Sequence, residues 1–174
     1  IPSLQDTEVS GYVNRTFDGV SDFEIFDHAL ANNLNVSIVG EAGTGKSMNL
    51  FRLEETLWTQ FHRYHLVPLY IPLARVKPNS HFIEETLKQH SYTTPQIKRL
   101  KQEYRFIFLL DGFDEFLMQH RAQDLLTQAQ IRDWNGLSLI SARISAEDAL
   151  TPMGMTDRRY LCPFSLEKID AYLA

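Results

Sequence analysis

The chain has little of what marks several special classes of protein. Its 174 residues include one cysteine, Cys162, so no internal disulfide can form, which is typical of a reducing compartment such as the cytoplasm. Eight glycines and seven prolines make up only about 9% of the chain, which excludes collagen-like and low-complexity classes. No apolar run reaches the roughly 18–20 residues of a membrane span, so we expect no membrane insertion.

Positive charge is also scarce. The chain has 17 lysines and arginines against 22 aspartates and glutamates, which gives a formal net charge of −5. A protein that binds nucleic acid through bulk electrostatic attraction carries the opposite excess, so we expect no nucleic-acid partner. Hydrophobic residues (44%) and charged residues (22%) are close to globular averages, which favours one ordinary folded domain.

Segments typical of strands and helices alternate along the chain. The predicted strands are 35–39, 66–73, 105–110, 137–141 and 159–162. The predicted helices are 21–33, 45–64, 80–89, 94–103, 123–132 and a last one that begins at Ser165. Pro68 and Pro72 assign the second strand to a sheet edge or a bulge, and the apolar third strand indicates burial on both faces. The alternation predicts an α/β domain with helices on both faces of a mostly parallel sheet.

The most specific motif follows the first of these strands. Residues 40–47 read GEAGTGKS and match the phosphate-loop pattern G-x-x-x-x-G-K-[ST] at every defined position. Lys46 supplies a positive charge for the β- and γ-phosphates, and Ser47 supplies a hydroxyl ligand for Mg²⁺. The candidate phosphate-binding residues are Gly40, Glu41, Ala42, Gly43, Thr44, Gly45, Lys46 and Ser47. The alternative is a glycine-rich turn that binds nothing.

An acidic cluster follows the third strand. Asp111 stands at the carboxyl end of that strand, where open α/β sheets bind ligands, and could hold Mg²⁺. Asp114 or Glu115 could orient or deprotonate an attacking water. The alternative is a solvated acidic turn at the start of a helix, where carboxylates also favour the helix dipole.

An arginine ends the fourth strand. Arg143 follows the apolar run 137–142 and could contact the γ-phosphate of a nucleotide. An ordinary surface ion pair explains this residue equally well.

These segments together resemble the NACHT family of signal-transduction NTPases, in the STAND branch of the AAA+-related P-loop proteins. The resemblance rests on GEAGTGKS at 40–47, LLDGFDE at 109–115, LISAR at 139–143 and PFSLEKIDAYL at 163–173. The second segment is the most diagnostic. AAA+ proteins generally place the catalytic glutamate directly after the Mg²⁺-site aspartate, whereas NACHT proteins have a small residue there, here Gly112, and then an acidic pair.

The resemblance implies a fold, ligands and roles. It implies a five-stranded sheet in the order 5-1-4-3-2, Mg²⁺ with ATP or GTP (ATP favoured), slow hydrolysis and self-association controlled by the nucleotide. It implies that Lys46 and Ser47 bind phosphate and Mg²⁺, that Asp111 is the Mg²⁺ acid, and that Arg143 is a sensor arginine. Asp114 and Glu115 are then the hydrolytic acids. Residues 12–15 correspond loosely to a base-contacting segment.

The resemblance also sets expected boundaries. We expect a lead-in segment at 1–20 and an NTPase core at 21–174. Family members continue into helical and winged-helix segments that close over the nucleotide, and this sequence ends before them. We therefore expect an excised core or a shortened NTPase.

Two other functions remain open at this point. One is an interaction module that nucleotide stabilises, without significant turnover, which the acidic net charge permits. The other is a P-loop small-molecule kinase, which would need an acceptor pocket and an arginine-rich lid that the sequence does not display. We interpret Trp58, Trp134 and the phenylalanines as core or interface residues, and Cys162 as an inert thiol.

Overall fold

The structure is a computed structural model that describes residues 16–17, 20–77, 81–122, 125, 131–155 and 157–161. The strands are β1 (Thr16–Phe17), β2 (Val20–Ser21), β3 (Val36–Val39), β4 (Leu66–Pro72), β5 (Arg105–Asp111), β6 (Gly136–Ala142) and β7 (Asp157–Tyr160). The α-helices are α1 (Asp22–Asn32), α2 (Lys46–Thr59), α3 (Phe61–Tyr64), α4 (Phe82–Gln89), α5 (Thr94–Glu103) and α6 (Phe113–Leu117). Within the described residues, 3₁₀ segments lie at Leu73–Arg75, Ile131–Asp133 and Ile144–Met153.

Five of the strands form one parallel sheet in the order β4-β5-β6-β3-β7. Numbered along the chain, that order is 2-3-4-1-5, which is the expected 5-1-4-3-2 counted from the other edge. The α/β fold and its strand order are therefore confirmed. Strands β1 and β2 form a separate antiparallel pair that the sequence patterns did not predict.

The sheet is covered on both faces, as β5 shows. Phe106, Phe108 and Leu110 belong to one hydrophobic cluster, whereas Ile107 and Leu109 belong to another. All five side chains are fully buried. Because successive residues of a strand point to opposite faces, the two clusters lie on opposite sides of the sheet. This confirms the three-layer arrangement expected from the apolar run.

Strand β4 is an edge strand, which is one of the two placements, edge or bulge, that its prolines predicted. The N–H of Tyr70 donates to Glu54 Oε1 of α2 at 2.9 Å instead of to a strand. Since N–H groups alternate between the two sides of a strand, Pro68 and Pro72 occupy the same outer side as Tyr70. Two prolines and one capped N–H thus leave this stretch of the edge with few donors for another strand to pair with.

The single helix expected over 45–64 is instead two helices, α2 and α3. Gln60 stands between them with φ −105° and ψ 17°. Two threonine hydroxyls bond to helix carbonyls just before the break: Thr56 Oγ1 donates to Arg52 O at 2.9 Å, and Thr59 Oγ1 donates to Thr56 O at 2.7 Å, an oxygen that also accepts the Gln60 N–H at 3.0 Å. Such side-chain bonds to the backbone are known to bend or end helices.

Other boundaries differ or lie outside the described residues. Strand β7 spans Asp157–Tyr160, two residues earlier than expected, because its partner β3 pairs Val39 with Tyr160. Helix α6 was not among the predicted helices, although the alternative reading of the acidic cluster placed it at a helix start. Only parts of the predicted helix 123–132 are described. Residues 12–15, Ser80, Cys162 and the 163–173 motif lie outside the described residues. Within the described part of the chain, no helix has the length and apolar character needed to cross a bilayer.

The link between Glu54 and Tyr70 generates a stability prediction. Burial raises the pKa of the Glu54 carboxyl above its ordinary value of 4.5. Glu54→Ala removes the acceptor and should lower the free energy of unfolding by about 1 kcal/mol. Glu54→Gln keeps an acceptor without a buried charge and should be at least as stable as the wild type at pH 7. Urea unfolding measures both.

The pH dependence has a definite sign. Between 4.5 and the raised pKa, the folded chain binds more protons at Glu54 than the unfolded chain, so wild-type stability falls as pH rises through that window. Glu54→Gln should lack this fall, whereas the neighbouring Glu55→Gln should keep it. Equal destabilisation by Glu54→Gln and Glu54→Ala at pH 7 would contradict the account.

Candidate functional site

The phosphate loop connects β3 to α2, and its backbone requires glycine at two points. Gly43 (φ 75°) and Gly45 (φ 90°) lie in the left-handed region that other L-residues rarely adopt. Gly45 is the N-cap of α2. Among the described residues, no side chain caps this helix start, and its first turn contains no acidic residue. The N–H groups of the first turn therefore remain available to an anion, which the helix dipole also favours.

Backbone carbonyls of the phosphate loop hold the side chain of Lys46. Its Nζ donates to the carbonyl oxygens of Gly40 and Glu41, both at 2.7 Å. Thr44 Oγ1 also donates to Glu41 O, at 2.8 Å, which tightens the turn. An ammonium has three donors, so one N–H of Lys46 remains beyond these two bonds.

Three charged groups from other strand ends act on Lys46. Burial is the main cause that lowers the pKa of its ammonium, and the positive charge of Arg143 lowers it further. The negative charges of Asp114 and Asp111 oppose this by raising the pKa. The ammonium, the two carboxylates and the guanidinium therefore form one electrostatic cluster.

Asp111 ends β5, and two hydroxyl groups hold its carboxylate. Tyr70 Oη donates to Oδ2 at 2.7 Å, and Ser141 Oγ donates to Oδ1 at 2.5 Å. Ser141 Oγ also accepts the N–H of Gly112 at 2.9 Å, which ties the turn after β5 to β6. Burial, followed by the hydrogen bond to Asp111, strongly raises the pKa of the Tyr70 phenol, so it remains a donor.

The backbone conformation and the close contacts at position 112 explain why a glycine stands between Asp111 and the acidic pair. Its φ of 82° lies in the left-handed region, and it is the N-cap of α6. A Cβ at this position would lie 3.1 Å from Glu115 Oε2. The glycine therefore leaves room for the exposed Glu115 carboxylate to lie close to the end of β5.

Asp114 and Arg143 form an ion pair across the ends of β5 and β6. Arg143 Nε lies 2.9 Å from Asp114 Oδ2, and the Arg143 backbone N–H donates to Asp114 Oδ1 at 3.2 Å. The arginine side chain is 50% exposed and the aspartate side chain 16% exposed. Arg143 thus forms an ion pair, as one reading of the sequence held, but its partner is a predicted site residue.

The predicted site residues lie together at the carboxyl ends of the strands. The loop follows β3, Asp111 and the acidic pair follow β5, and Arg143 follows β6, and these three strands are neighbours in the order β5-β6-β3. The N–H of Gly40 donates to Ala142 O at 3.2 Å, which joins the loop to the end of β6. Their roles remain predictions.

The sequence patterns missed two residues of this cluster. Ser141 stands inside the LISAR segment, but only the arginine drew attention there. Tyr70 stands between two prolines near the carboxyl end of β4. The only available signal was a tyrosine hydroxyl near the end of a strand that neighbours β5.

The oxygen donors suit Mg²⁺. This ion binds to proteins through one or two oxygen ligands and completes its shell with water and substrate phosphates. Ser47, exposed on the first turn of α2, and the partly buried Asp111 carboxylate are such ligands. The donor set therefore fits the ion that the resemblance implies.

Solved structures resemble this chain in fold. The ORC1 protein of Aeropyrum pernix, solved in complex with DNA, matches 97% of this chain and 50% of its own length, with a TM-score of 0.58 and 17% identity. Drosophila ORC bound to DNA and Cdc6 matches 87% of this chain (30% of its own length; TM-score 0.50, 10% identity). PCH-2 of C. elegans matches 80% (42% of its own length; TM-score 0.49, 18% identity). At such identities the likeness to the two ORC structures concerns the fold alone.

A family comparison is more specific. The chain spans half or less of the length of these solved structures. A comparison with curated protein sequences gives no match. The profile of the NACHT domain, however, matches residues 34–165, about three quarters of the chain, including the loop, the acidic cluster and Arg143. The chain therefore belongs to the NACHT domain family of P-loop NTPases.

Proposed function

We propose that this chain binds ATP with Mg²⁺ at Gly40–Ser47, hydrolyses it slowly, and uses the nucleotide state to control self-association in a signalling protein. The observation that carries the proposal is the placement of Lys46, Asp111, Asp114 and Arg143 around an open helix start. Membership of an NTPase family supports the nucleotide class.

Phosphate binding would use backbone and one lysine. The N–H groups at the start of α2 and the third Nζ donor of Lys46 would hold the β- and γ-phosphate oxygens. Bound Mg²⁺, held by Ser47 and Asp111, would neutralise charge on these phosphates. This arrangement explains how a chain with a net charge of −5 can bind a polyanion without a basic surface.

Hydrolysis would depend on positioning and charge stabilisation. Glu115 is exposed beside Gly112 and can accept a proton from a water that faces the γ-phosphate. Asp114 is the other candidate for this role. Its present partner is Arg143, so it can take the role only when that ion pair opens.

Arg143 is suited to report the γ-phosphate. Its side chain is 50% exposed although its partner Asp114 is only 16% exposed, so the guanidinium stands at the surface, where a bound phosphate can reach it. We infer that Arg143 moves from Asp114 to the γ-phosphate when ATP is bound and returns after hydrolysis. That movement would couple nucleotide state to the surface around the ends of β5 and β6.

A second candidate function is a nucleotide-stabilised interaction module without significant turnover. The observation that favours it is the engagement of Asp114 by Arg143, which occupies one of the two hydrolytic acids. Two measurements separate the candidates: the melting temperature with ADP against a non-hydrolysable ATP analogue, and phosphate release from ATP. Stabilisation by both nucleotides without phosphate release would favour the module.

We also propose ATP in preference to GTP, a cytoplasmic location and no nucleic-acid partner. The single cysteine supports a reducing compartment, and the acidic net charge gives no general attraction to nucleic acid. Two of the similar structures contain DNA, but DNA binding is a property of those proteins.

The proposed phosphate site predicts the effect of replacing Lys46. Lys46→Ala removes the charged donor to the phosphates and should weaken Mg²⁺–ATP binding by about 10- to 100-fold, the range expected for a hydrogen bond between charged groups. Isothermal titration calorimetry measures the dissociation constant. Lys98→Ala, an exposed lysine on α5, is the matched control and should bind like the wild type. If Lys46→Ala binds as tightly as the wild type, the loop is not the phosphate site.

The proposed hydrolysis predicts the effect of replacing Glu115. Glu115→Gln keeps the shape of the side chain but cannot accept the proton, so phosphate release should fall about 100-fold or more while ATP binding is retained. Glu103→Gln, an exposed carboxylate on α5, should leave both unchanged. Unchanged turnover in Glu115→Gln would remove Glu115 from the mechanism.

A further inference from the structure

Tyr70 lies on the edge strand β4, outside the three strands that carry the predicted site residues. Its backbone N–H donates to Glu54 Oε1 of α2 at 2.9 Å. Its ring packs edge-on against Phe51 of the same helix, with centroids 6.2 Å apart. Two independent contacts therefore hold Tyr70 against α2.

The hydroxyl of Tyr70 bonds to the Asp111 carboxylate at the end of β5. Tyr70 Oη donates to Asp111 Oδ2 at 2.7 Å, while Ser141 Oγ donates to Oδ1. Because each carboxylate oxygen receives one donor, the carboxylate cannot rotate without losing a hydrogen bond. The lone pairs that remain then point in fixed directions.

Tyr70 thus joins the two elements that carry the proposed Mg²⁺ ligands. Helix α2 bears Ser47 in its first turn, and Glu54 lies seven residues later, two turns along the same helix. Asp111 ends β5, the strand beside β4. Among the described contacts of Asp111, Ser141 connects it to β6, and Tyr70 connects it to the residues of α2.

We propose that Tyr70 is a positioning residue of the Mg²⁺ site, which sets Asp111 relative to Ser47 by bonding the carboxylate and α2 at the same time. The proposal rests on the proposed function, since it concerns the metal ligands of that site. Hydrogen-bond partners of metal ligands typically affect metal affinity by about 10- to 100-fold.

Tyr70→Phe tests the role with a minimal change. It removes the hydroxyl and keeps the ring beside Phe51 and the backbone N–H that donates to Glu54. Tyr64→Phe is the matched control, because Tyr64 Oη also donates to a carboxylate, that of Asp27, at 3.4 Å. A loss due only to a missing tyrosine hydroxyl would appear in both variants.

Two affinities are measured for each protein. The dissociation constant of Mn²⁺ from the complex with ADP is obtained by electron paramagnetic resonance, and the affinity for ADP is measured in EDTA. Tyr70→Phe should weaken Mn²⁺ by about 10-fold and leave the metal-free ADP affinity within about 2-fold of the wild type. Tyr64→Phe should change neither. Equal Mn²⁺ affinity in Tyr70→Phe and the wild type would overturn the inference, and so would parallel losses of both affinities.

A double-mutant cycle locates the effect. In an Asp111→Asn background, Tyr70→Phe should change Mn²⁺ affinity by less than about 2-fold, because the group it positions is already altered. A full effect in that background would show that Tyr70 acts elsewhere and would overturn the inference. A wild-type chain that binds no nucleotide would overturn the proposed function together with this inference. Normal wild-type binding with an unaffected Tyr70→Phe overturns the inference alone.

Discussion

Parallel pairing of β5, β6 and β3 is the constraint on which the rest of the site depends. Registers such as Val39 opposite Ala142 and Leu110 opposite Ile140 bring the three strands to an end at nearly the same level. Parallel strands stay paired only when helices cover both faces, and the two hydrophobic clusters supply that cover. Residues that are up to about a hundred positions apart in sequence therefore meet at the carboxyl ends of these strands.

Charge compensation at these strand ends allows ionisable groups to lie close together. Lys46 loses hydration through burial, but two carbonyl oxygens and the nearby carboxylates favour its charged form. Asp114 forms an ion pair with Arg143, whereas the two oxygens of Asp111 accept hydrogen bonds from the hydroxyl groups of Tyr70 and Ser141. A carboxylate stabilised by neutral donors retains its full charge for a divalent metal, whereas one paired to arginine must first release its partner. This difference supports the different roles that we propose for the two aspartates.

The sequence predicted what depends on neighbouring residues. The loop 40–47 is one contiguous motif, and its glycines, lysine and helix start all follow from local backbone geometry. Pro68 and Pro72 identified the edge strand because proline lacks the donor that a central strand requires. The strand order, by contrast, came from the family resemblance, since local patterns specify strands but not their neighbours.

The remaining features depend on contacts that are distant in sequence. Tyr70 and Asp111 are 41 residues apart, and their bond exists only because β4 pairs with β5. The break at Gln60 accompanies bonds from the Thr56 and Thr59 hydroxyls to helix carbonyls, and threonine in a helical pattern does not reveal which carbonyl its hydroxyl will bond. Strand β7 begins two residues early because pairing with β3, and not local propensity, sets its limits.

The most direct test of the account is a crystal structure of this chain with Mg²⁺ and a non-hydrolysable ATP analogue. The account predicts that Lys46 Nζ and the N–H groups at the start of α2 lie within hydrogen-bond distance of the β- and γ-phosphates. It also predicts Mg²⁺ on Ser47 Oγ and on Asp111, directly or through water, with Tyr70 Oη still bonded to that carboxylate. Phosphates bound away from the loop, or Mg²⁺ without contact to either residue, would contradict it.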